Sequence, residues 1–516
     1  MKTYHYNLGQ AFAEITEKYS AETALRYSEK HYLYSDLSQW AESLGNMLLS
    51  HGLKRGDVIA IGNTKSPLSY ALIIAALKLG VVYVNIDVAS PLSRNEYILN
   101  ISNASLLFYD NRSYDADMQK LAERHQCFAL YLNLSTLPAA SQNDRDLQQS
   151  LSKKVDGSCI AYIMFTSGST GIPKGVAITH QNILHFVSWG QEYFQINYQD
   201  NFANLSPMYF DNSVFDLYVG LFSGASLSPI TRELLSSPYE LIAHVEKMEC
   251  TVWFSVPSLL IYLTAMKAIT KAALPSIRCI IFGGEGYPKA ELKKLHELFI
   301  EQARLVNVYG PTECTCICSA YTLSENDFTQ INGLPPLGKL NANFDYLILD
   351  EHDKETTEGE LCLIGPNVAA GYFNDMERTA SSFITLTDSR HFMKRMYRTG
   401  DLVKEADGIL HFTGRKDNQI KHMGYRIELE EIEHALVKFP QINQAAVVYH
   451  RTNVAYGKLI AFIASVELLS EPSLLSELTE VLPAYMIPSR IIIRKELPKS
   501  PNGKVDRQQL LAQCQE

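Results

Sequence analysis

The sequence lacks most of the features that mark secreted, membrane-spanning or nucleic-acid-coating proteins. Its nine cysteines are odd in number and show no paired C-x-x-C spacing, so free thiols in a reducing compartment are expected rather than a disulfide framework. No apolar run supplies the ~20 residues a helix needs to cross a bilayer. The longest, Tyr70 to Val84, is interrupted by Lys78 and Gly80. The opening stretch MKTYHYNLGQAFAEITEKYS has no apolar centre and carries acidic residues early, unlike a secretory signal. Positive charge is in deficit: 46 Lys and Arg against 56 Asp and Glu give a formal net charge of −10, which argues against a chain-wide nucleic-acid binder. Internal repeats, low-complexity tracts and heptads are absent. What is present is 516 residues, 46% hydrophobic and 20% charged, which is folded protein with room for two or more domains. The expectation is a cytoplasmic, enzyme-sized chain with neither a membrane nor a nucleic-acid partner.

Helical and strand patterns alternate through the first half. Leu8 to Ala24, Ser35 to His51 and Ser66 to Leu79 read as helices, the last two ended by Gly52 and Gly80. Val58 to Gly62, Val81 to Ile86, Leu106 to Tyr109, Phe128 to Leu132, Thr251 to Ser255 and Cys279 to Phe282 read as strands. That alternation predicts an α/β fold, a mostly parallel sheet covered by helices. After about Gly333 the texture changes. Short β-like runs such as Asp345 to Leu349, Glu360 to Ile364 and Ile409 to Phe412, separated by turn residues, predict a β-rich subdomain. A helix over Glu428 to Val437 and strands over Ala445 to Tyr449 and Leu459 to Val466 predict a small α+β C-terminal domain, joined near Lys416 and Asp417. Gln142 to Lys154 is polar and reads as a loop or a short helix.

Ala161 to Phe165 reads as a strand that runs into Thr166-Ser167-Gly168-Ser169-Thr170-Gly171-Ile172-Pro173-Lys174-Gly175 and then into the apolar Val176-Ala177-Ile178. Small hydroxyl and glycine residues let backbone N–H groups approach an anion closely, and Lys174 adds a positive charge. The G-x-x-x-x-G-K-[ST] pattern of the nucleotide-triphosphatase loop does not fit, because Pro173 stands five residues after Gly168 and Gly175 follows the lysine. A flexible Ser/Gly linker is the plain alternative, but a linker is not expected between two ordered apolar strands.

This loop resembles the phosphate loop of the AMP-forming adenylating superfamily, which includes acyl-CoA synthetases, luciferases and the adenylation domains of peptide synthetases. Further matching segments follow in the same order over nearly the whole chain. They are Asn307-Val-Tyr-Gly-Pro-Thr-Glu313, Gly359-Glu-Leu, Tyr397-Arg-Thr-Gly-Asp401, Gly414-Arg-Lys-Asp-Asn-Gln-Ile-Lys421 with Gly424-Tyr-Arg-Ile-Glu428, and Pro501-Asn-Gly-Lys-Val-Asp506. The resemblance implies a large N-terminal lobe, residues 1–416, holding ATP and the acid, and a small mobile domain, residues 417–516. It implies a reaction in two halves: a carboxylate is joined to AMP with loss of pyrophosphate, and a thiol then takes the acyl group. Positioning and charge neutralisation dominate such nucleotidyl transfer.

The resemblance assigns roles residue by residue. Lys504 is the catalytic lysine of adenylation, a point charge able to bridge the carboxylate and the phosphorus; a solvated tail lysine is the alternative. Thr166, Ser167, Gly168, Ser169, Thr170, Gly171 and Lys174 cradle phosphate. Thr312 lies near the phosphate, Tyr309 beside Gly310 stacks on adenine, and Glu313 is the oxygen ligand for Mg²⁺. Asp401 accepts the ribose hydroxyls, with Arg415 next to the nucleotide, although Asp after Gly is also common in any turn. Asp417 is the hinge about which the small domain rotates. That rotation would carry Lys504 away and bring the Lys421–Glu428 face to the active site. Cys314, Cys316 and Cys318 alternate, as on one face of a strand, and read as buried free thiols rather than metal ligands.

Met208 to Tyr218 resembles the segment that opens the acid pocket of amino-acid-activating members. There Asp211 would meet the substrate ammonium; the alternative is an N-cap for a helix starting at Ser213. The implied pocket lining is Asn212, Phe215, Ser255, Phe282, Gly284, Val308, Cys316 and Ile317, which suits a small or medium uncharged amino acid. The whole chain also resembles stand-alone D-alanine–carrier-protein ligases. Those place a cysteine where Gly283 stands, and a glycine is expected to open the pocket, leaving D-alanine and an L-amino acid both possible. The chain ends twelve residues after Lys504, so a phosphopantetheinylated carrier protein is expected in trans, docking near Arg490, Arg494, Lys495 and Lys499. An acyl-CoA synthetase for a small organic acid and a catalytically silent interaction protein are the competing readings; the presence of Lys504, Glu313 and Asp401 speaks against the latter.

Overall fold

Seven strands form one sheet of the N-terminal lobe, in the order Gly371–Tyr372, Lys174–Thr179, Ile160–Thr166, Val82–Ile86, Val58–Gly62, Leu106–Tyr109 and Phe128–Tyr131. The last five run parallel to one another, as buried apolar runs alternating with helices require. The computed structural model describes residues 4–168, 170–342, 344–386, 394–451, 457–467, 469–499 and 505–514. The helix Pro67–Leu79 shows why the alternation was legible. Ser66 caps it, Pro67 opens it, and Gly80 closes it at a φ of 69°. It packs between sheet and outer helices, which accounts for the long apolar run without a membrane. No helix among the described residues is long and apolar enough to span one.

A second sheet has nine strands, and its parallel centre runs Arg304–Tyr309, Cys279–Gly283, Val252–Ser255, Asn201–Asn204 and Ser226–Pro229. The carboxyl ends of these strands point to one crevice, the usual place for a ligand in an α/β sheet. The β-rich region is a five-stranded sheet built around Lys394–Ala406, where register sets Asp401 directly opposite Arg415. Beyond it comes a tight hairpin, Gln419–His422 with Tyr425–Glu428. Met423 and Gly424 turn it at φ 51° and 81°, the left-handed pair a two-residue hairpin demands. The helix Leu429–Leu436 and the strands Gln444–Arg451, Gly457–Ala464 and Arg490–Arg494 then enclose hydrophobic clusters of their own. The fold is thus the expected α/β arrangement, with a β-rich part and a small α+β part at the C-terminal end.

Of the two alternatives for Gln142 to Lys154, the structure has the helix, Gln142–Ser152, with Ser141 and Asp144 exchanging capping bonds. Two local expectations change. The helix expected over Leu8 to Ala24 ends at Tyr19, and Thr23–Arg26 is a strand. The cysteines do not share a strand face: Cys314 ends a short turn, Thr315 and Cys316 have φ of 60° and 70°, and the next strand begins only at Ser319. All three are buried and free.

Candidate active site

Two strand ends build one wall of the crevice. Tyr309 closes Arg304–Tyr309, and its hydroxyl donates to Oδ2 of Asp401 at 2.6 Å. Arg415 donates from Nη1 to Oδ1 of Asp401 at 2.6 Å and forks onto both oxygens of Asp417, also at 2.6 Å. The guanidinium therefore links Asp401 to Asp417, the residue read as hinge. Gly310 is forced by packing, because a β carbon would fall 2.3 Å from the Cys316 carbonyl oxygen.

The phosphate loop joins two paired strands, with Thr166 opposite Lys174, so the linker alternative fails. Gly168 tolerates no side chain, its β-carbon position lying 2.0 Å from the Ile172 carbonyl oxygen. Thr166 Oγ1 is buried with no hydrogen-bond partner among the described residues. Lys174 does not point to open solvent. It sits 3.5 Å from Oε1 of Glu313, which also accepts from the Tyr372 hydroxyl at 2.8 Å. Oε2 of Glu313 takes Nη1 of Arg426 at 2.7 Å. Glu313 is fully buried, which opposes its charge, but Arg426 and Lys174 hold its carboxyl well below the ordinary range. Burial, reinforced by Arg426, pulls the Lys174 ammonium down.

Both oxygens of Glu313 are thus engaged, and no group of three metal-ligating side chains exists among the described residues. As they stand, these residues do not fit a resident Mg²⁺, which needs free oxygen ligands. Lys504 and Ser169 lie outside the described residues.

The acid side is different. Asp211 directly precedes the short helical turn Asn212–Val214 but makes no capping bond, so the cap alternative does not hold. Its Oδ2 accepts from Thr312 Oγ1 at 2.5 Å instead. It is half-buried in the crevice wall, and desolvation raises its pKa. No Lys, Arg or His among the described residues comes within 4.0 Å of its carboxylate, whereas Glu313 has two such partners. Asn212, Gly284, Val308, Cys316 and Ile317 line the same cavity, together with Met164 and Phe254. Phe215 and Phe282 do not reach it. Phe215 sits in a ring cluster with Phe186, Phe194, Phe202 and Phe254, and Phe282 packs edge-on against Tyr287. Gly283 does not open the pocket either, because its β carbon would aim at the Val308 carbonyl oxygen, 2.5 Å away.

Ser255 belongs to a second cleft of about 360 Å³, which runs between Leu205–Pro207, Val256 and Tyr262 to Asp211. Met423 and Gly424 of the hairpin form its other side. A β carbon on Gly424 would lie 2.4 Å from Val256, so this wall requires glycine. The hairpin is pinned by Gly424 N–H donating to Oε2 of Glu285 at 3.2 Å and by Tyr425 stacked on Tyr485 at 3.7 Å. Lys421 stands 5.8 Å from the Tyr309 ring, with burial lowering its pKa. Sequence reasoning named the Lys421–Glu428 face but gave no role to Arg426, Glu285 or Arg94. A lone arginine whose partner lies 337 residues away leaves no local signal. Arg490, Arg494, Lys495 and Lys499 are exposed.

Comparison with known proteins gives this geometry its context. A family model described as AMP-binding enzyme matches residues 12–373, and one described as AMP-binding enzyme C-terminal domain matches residues 431–504. Tyrocidine synthase 3 of Brevibacillus parabrevis is 33% identical over 520 residues; the match covers 99% of this chain but only 8% of that protein. A D-alanine–D-alanyl carrier protein ligase of Bacillus cereus (strain B4264) is 30% identical, covering 97% of this chain and 99% of that one. Among solved structures, holo-PA1221, an NRPS protein containing adenylation and PCP domains, superposes with a TM-score of 0.84 at 26% identity, covering 99% of this chain and 84% of that one. The Vibrio cholerae adenylation domain AlmE, in complex with glycyl-adenosine-5'-phosphate, superposes with a TM-score of 0.83 at 25% identity, covering 100% and 99%.

Proposed function

The chain belongs to the AMP-binding enzyme family, as an adenylating ligase, and from that premise we propose that it activates a small or medium uncharged amino acid as aminoacyl-AMP and passes it to the phosphopantetheine thiol of a separate carrier protein. The observation that carries the amino-acid reading is Asp211, a desolvated carboxylate beside the crevice with no cation partner among the described residues. Such a group is costly unless a cation meets it, and a substrate ammonium would do so. An acyl-CoA synthetase for an acid without an amine has no use for it, and the relatives above do not favour that reading.

In this reading Tyr309 and Asp401 hold the adenosine, and the phosphate loop receives the outer phosphates of ATP. The substrate carboxylate attacks the α-phosphorus, the bond to the bridging oxygen breaks, and pyrophosphate leaves. Lys504 is proposed to bridge the two reacting groups. Residues 1–416 act as the core and 417–516 as the cap, turning at Asp417. The cap as it stands, with Gly424 walling a narrow apolar cleft that ends at Asp211, supports the second half of the reaction. A long neutral thiol arm would enter there, its sulfur would attack the acyl carbonyl, and AMP would leave. Withdrawal of Arg426 with the cap would free only Oε2 of Glu313, the one oxygen it could then offer to the Mg²⁺ that accompanies ATP, Oε1 staying with Lys174 and Tyr372. The exposed Arg490, Arg494, Lys495 and Lys499 are the proposed contact for an acidic carrier.

The test is ATP–pyrophosphate exchange across L- and D-amino acids and the same acids lacking the amine. Exchange confined to one or a few uncharged amino acids is expected. Exchange only with acids lacking an ammonium would overturn the reading, and loading of coenzyme A in preference to a phosphopantetheinylated carrier would replace its second half.

A further inference from the structure

Glu431 lies on the helix Leu429–Leu436 of the C-terminal part, yet its side chain is only 3% exposed because it is seated on the phosphate loop. Oε1 takes Nη1 of Arg94 at 2.6 Å, and Oε2 accepts the backbone N–H of Gly168 at 3.2 Å. Neighbouring contacts follow the same line. Ser167 Oγ donates to the Arg426 carbonyl at 2.7 Å and accepts the Glu428 N–H at 3.2 Å. A β carbon on Gly171 would lie 2.9 Å from Cβ of His434. The segment Arg426–His434 therefore covers the loop at Ser167, Gly168 and Gly171.

An acceptor-only anion held by a glycine N–H and a nearly buried arginine has the surroundings a phosphate oxygen would find there. We propose that Glu431 is an internal ligand of the phosphate loop and that, with Arg94, it sets the preference of the site for nucleoside monophosphate over triphosphate. The inference rests on the adenylating reading above. Outer phosphates need the donors that Glu431 occupies, so a triphosphate has to displace the C-terminal segment first. AMP brings no outer phosphates and leaves that contact in place. Linkage makes the consequence quantitative: when the ligand-competent state is a fraction of the population, apparent affinity falls by that fraction. Departure of pyrophosphate frees the loop for Glu431, so thiol transfer follows product release rather than competing with it.

The experiment measures binding of α,β-methylene-ATP and of AMP by calorimetry to the full chain and to Glu431→Ala and the isosteric Glu431→Gln. It adds single-turnover transfer from preformed adenylate to pantetheine. Glu431→Ala is expected to bind the triphosphate about fivefold tighter or more, with AMP unchanged within about twofold and transfer slowed about tenfold. Glu431→Gln, which keeps the Gly168 acceptor but loses the charge, tightens triphosphate binding and slows transfer by less, with AMP again unchanged. A merely structural role would weaken everything together, and plain loss of a negative charge would leave transfer untouched. The proposal is overturned if neither variant tightens triphosphate binding, if AMP moves in parallel, or if transfer is unchanged. Should the unaltered protein bind neither nucleotide, the adenylating reading itself falls, which is a separate and recognisable result.

Discussion

Two carboxylates of the crevice, Glu313 and Asp211, sit in opposite environments. Glu313 is fully buried with a lysine and an arginine against it, and it stays charged despite the burial. Asp211 has one side-chain hydrogen bond, from the Thr312 hydroxyl, and feels Arg426 and Lys421 only from beyond ion-pair distance, so desolvation dominates and raises its pKa. The first is satisfied by the protein itself and serves to hold the C-terminal hairpin in place. The second is left for a cation the protein does not supply from its described residues. Local chemistry that looks alike in the sequence acquires different tasks from what the fold brings beside it.

Breaking the Asp211 side should have the largest effect. Asp211→Asn is expected to lower kcat/KM for the amino acid in pyrophosphate exchange by roughly 10²–10³-fold, the ~3–4 kcal/mol lost with one partner of a desolvated ion pair, with the KM for ATP little changed. Breaking the Glu313 side separates the half-reactions instead. Arg426→Ala is expected to slow thiol transfer about 10–30-fold while exchange stays within a few fold, because Arg426 meets Glu313 only while the hairpin is docked. An equal loss in both halves would mean Arg426 supports the fold at large.

How far this contrast was legible in the sequence differs for the two residues. Motifs in the order of the adenylating superfamily placed Asp211, Glu313, Tyr309 and Asp401 around one crevice, because each belongs to a short contiguous segment whose residues can be matched locally, whether at a strand end or turn or, for Asp401, within a strand. The alternation of buried strands and capped helices made the sheets legible for the same reason. What stayed hidden depends on pairings far apart in sequence: Arg426 on Glu313, Glu285 under Gly424, Arg94 on Glu431. Pocket walls were the least legible. Phe215 and Phe282 lie in ring clusters behind the cavity, and Gly283 answers to the neighbouring strand rather than to a ligand. A motif fixes which residue stands at a position, whereas the direction of its side chain comes from packing.

Smaller effects sharpen the comparison. Thr312→Val removes the one hydrogen bond to Asp211 and is expected to change the amino-acid KM about fivefold, the size of a single net hydrogen bond. On the acid side, the pH dependence of amino-acid binding should follow Asp211. Its raised pKa means that protonation on acidification begins above the usual ~3.9, so the KM for the amino acid should climb as pH falls through that range, since a neutral carboxyl cannot pair with an ammonium. Glu313 is depressed, so the stability its ion pairs give is complete above the unfolded value near ~4.3 and is lost only on stronger acidification. Docking of the hairpin, followed by the ratio of transfer to exchange, should accordingly stay flat from about pH 6 to 8.

The most direct measurement compares, in pyrophosphate exchange, the amino acid identified by the panel with the same acid lacking its ammonium, for the unaltered protein and for Asp211→Asn. The account requires a preference of roughly 10²-fold or more for the amino acid in the unaltered protein, and its near disappearance in the variant. Equal use of both acids by the unaltered protein, or an undiminished preference in Asp211→Asn, would contradict it.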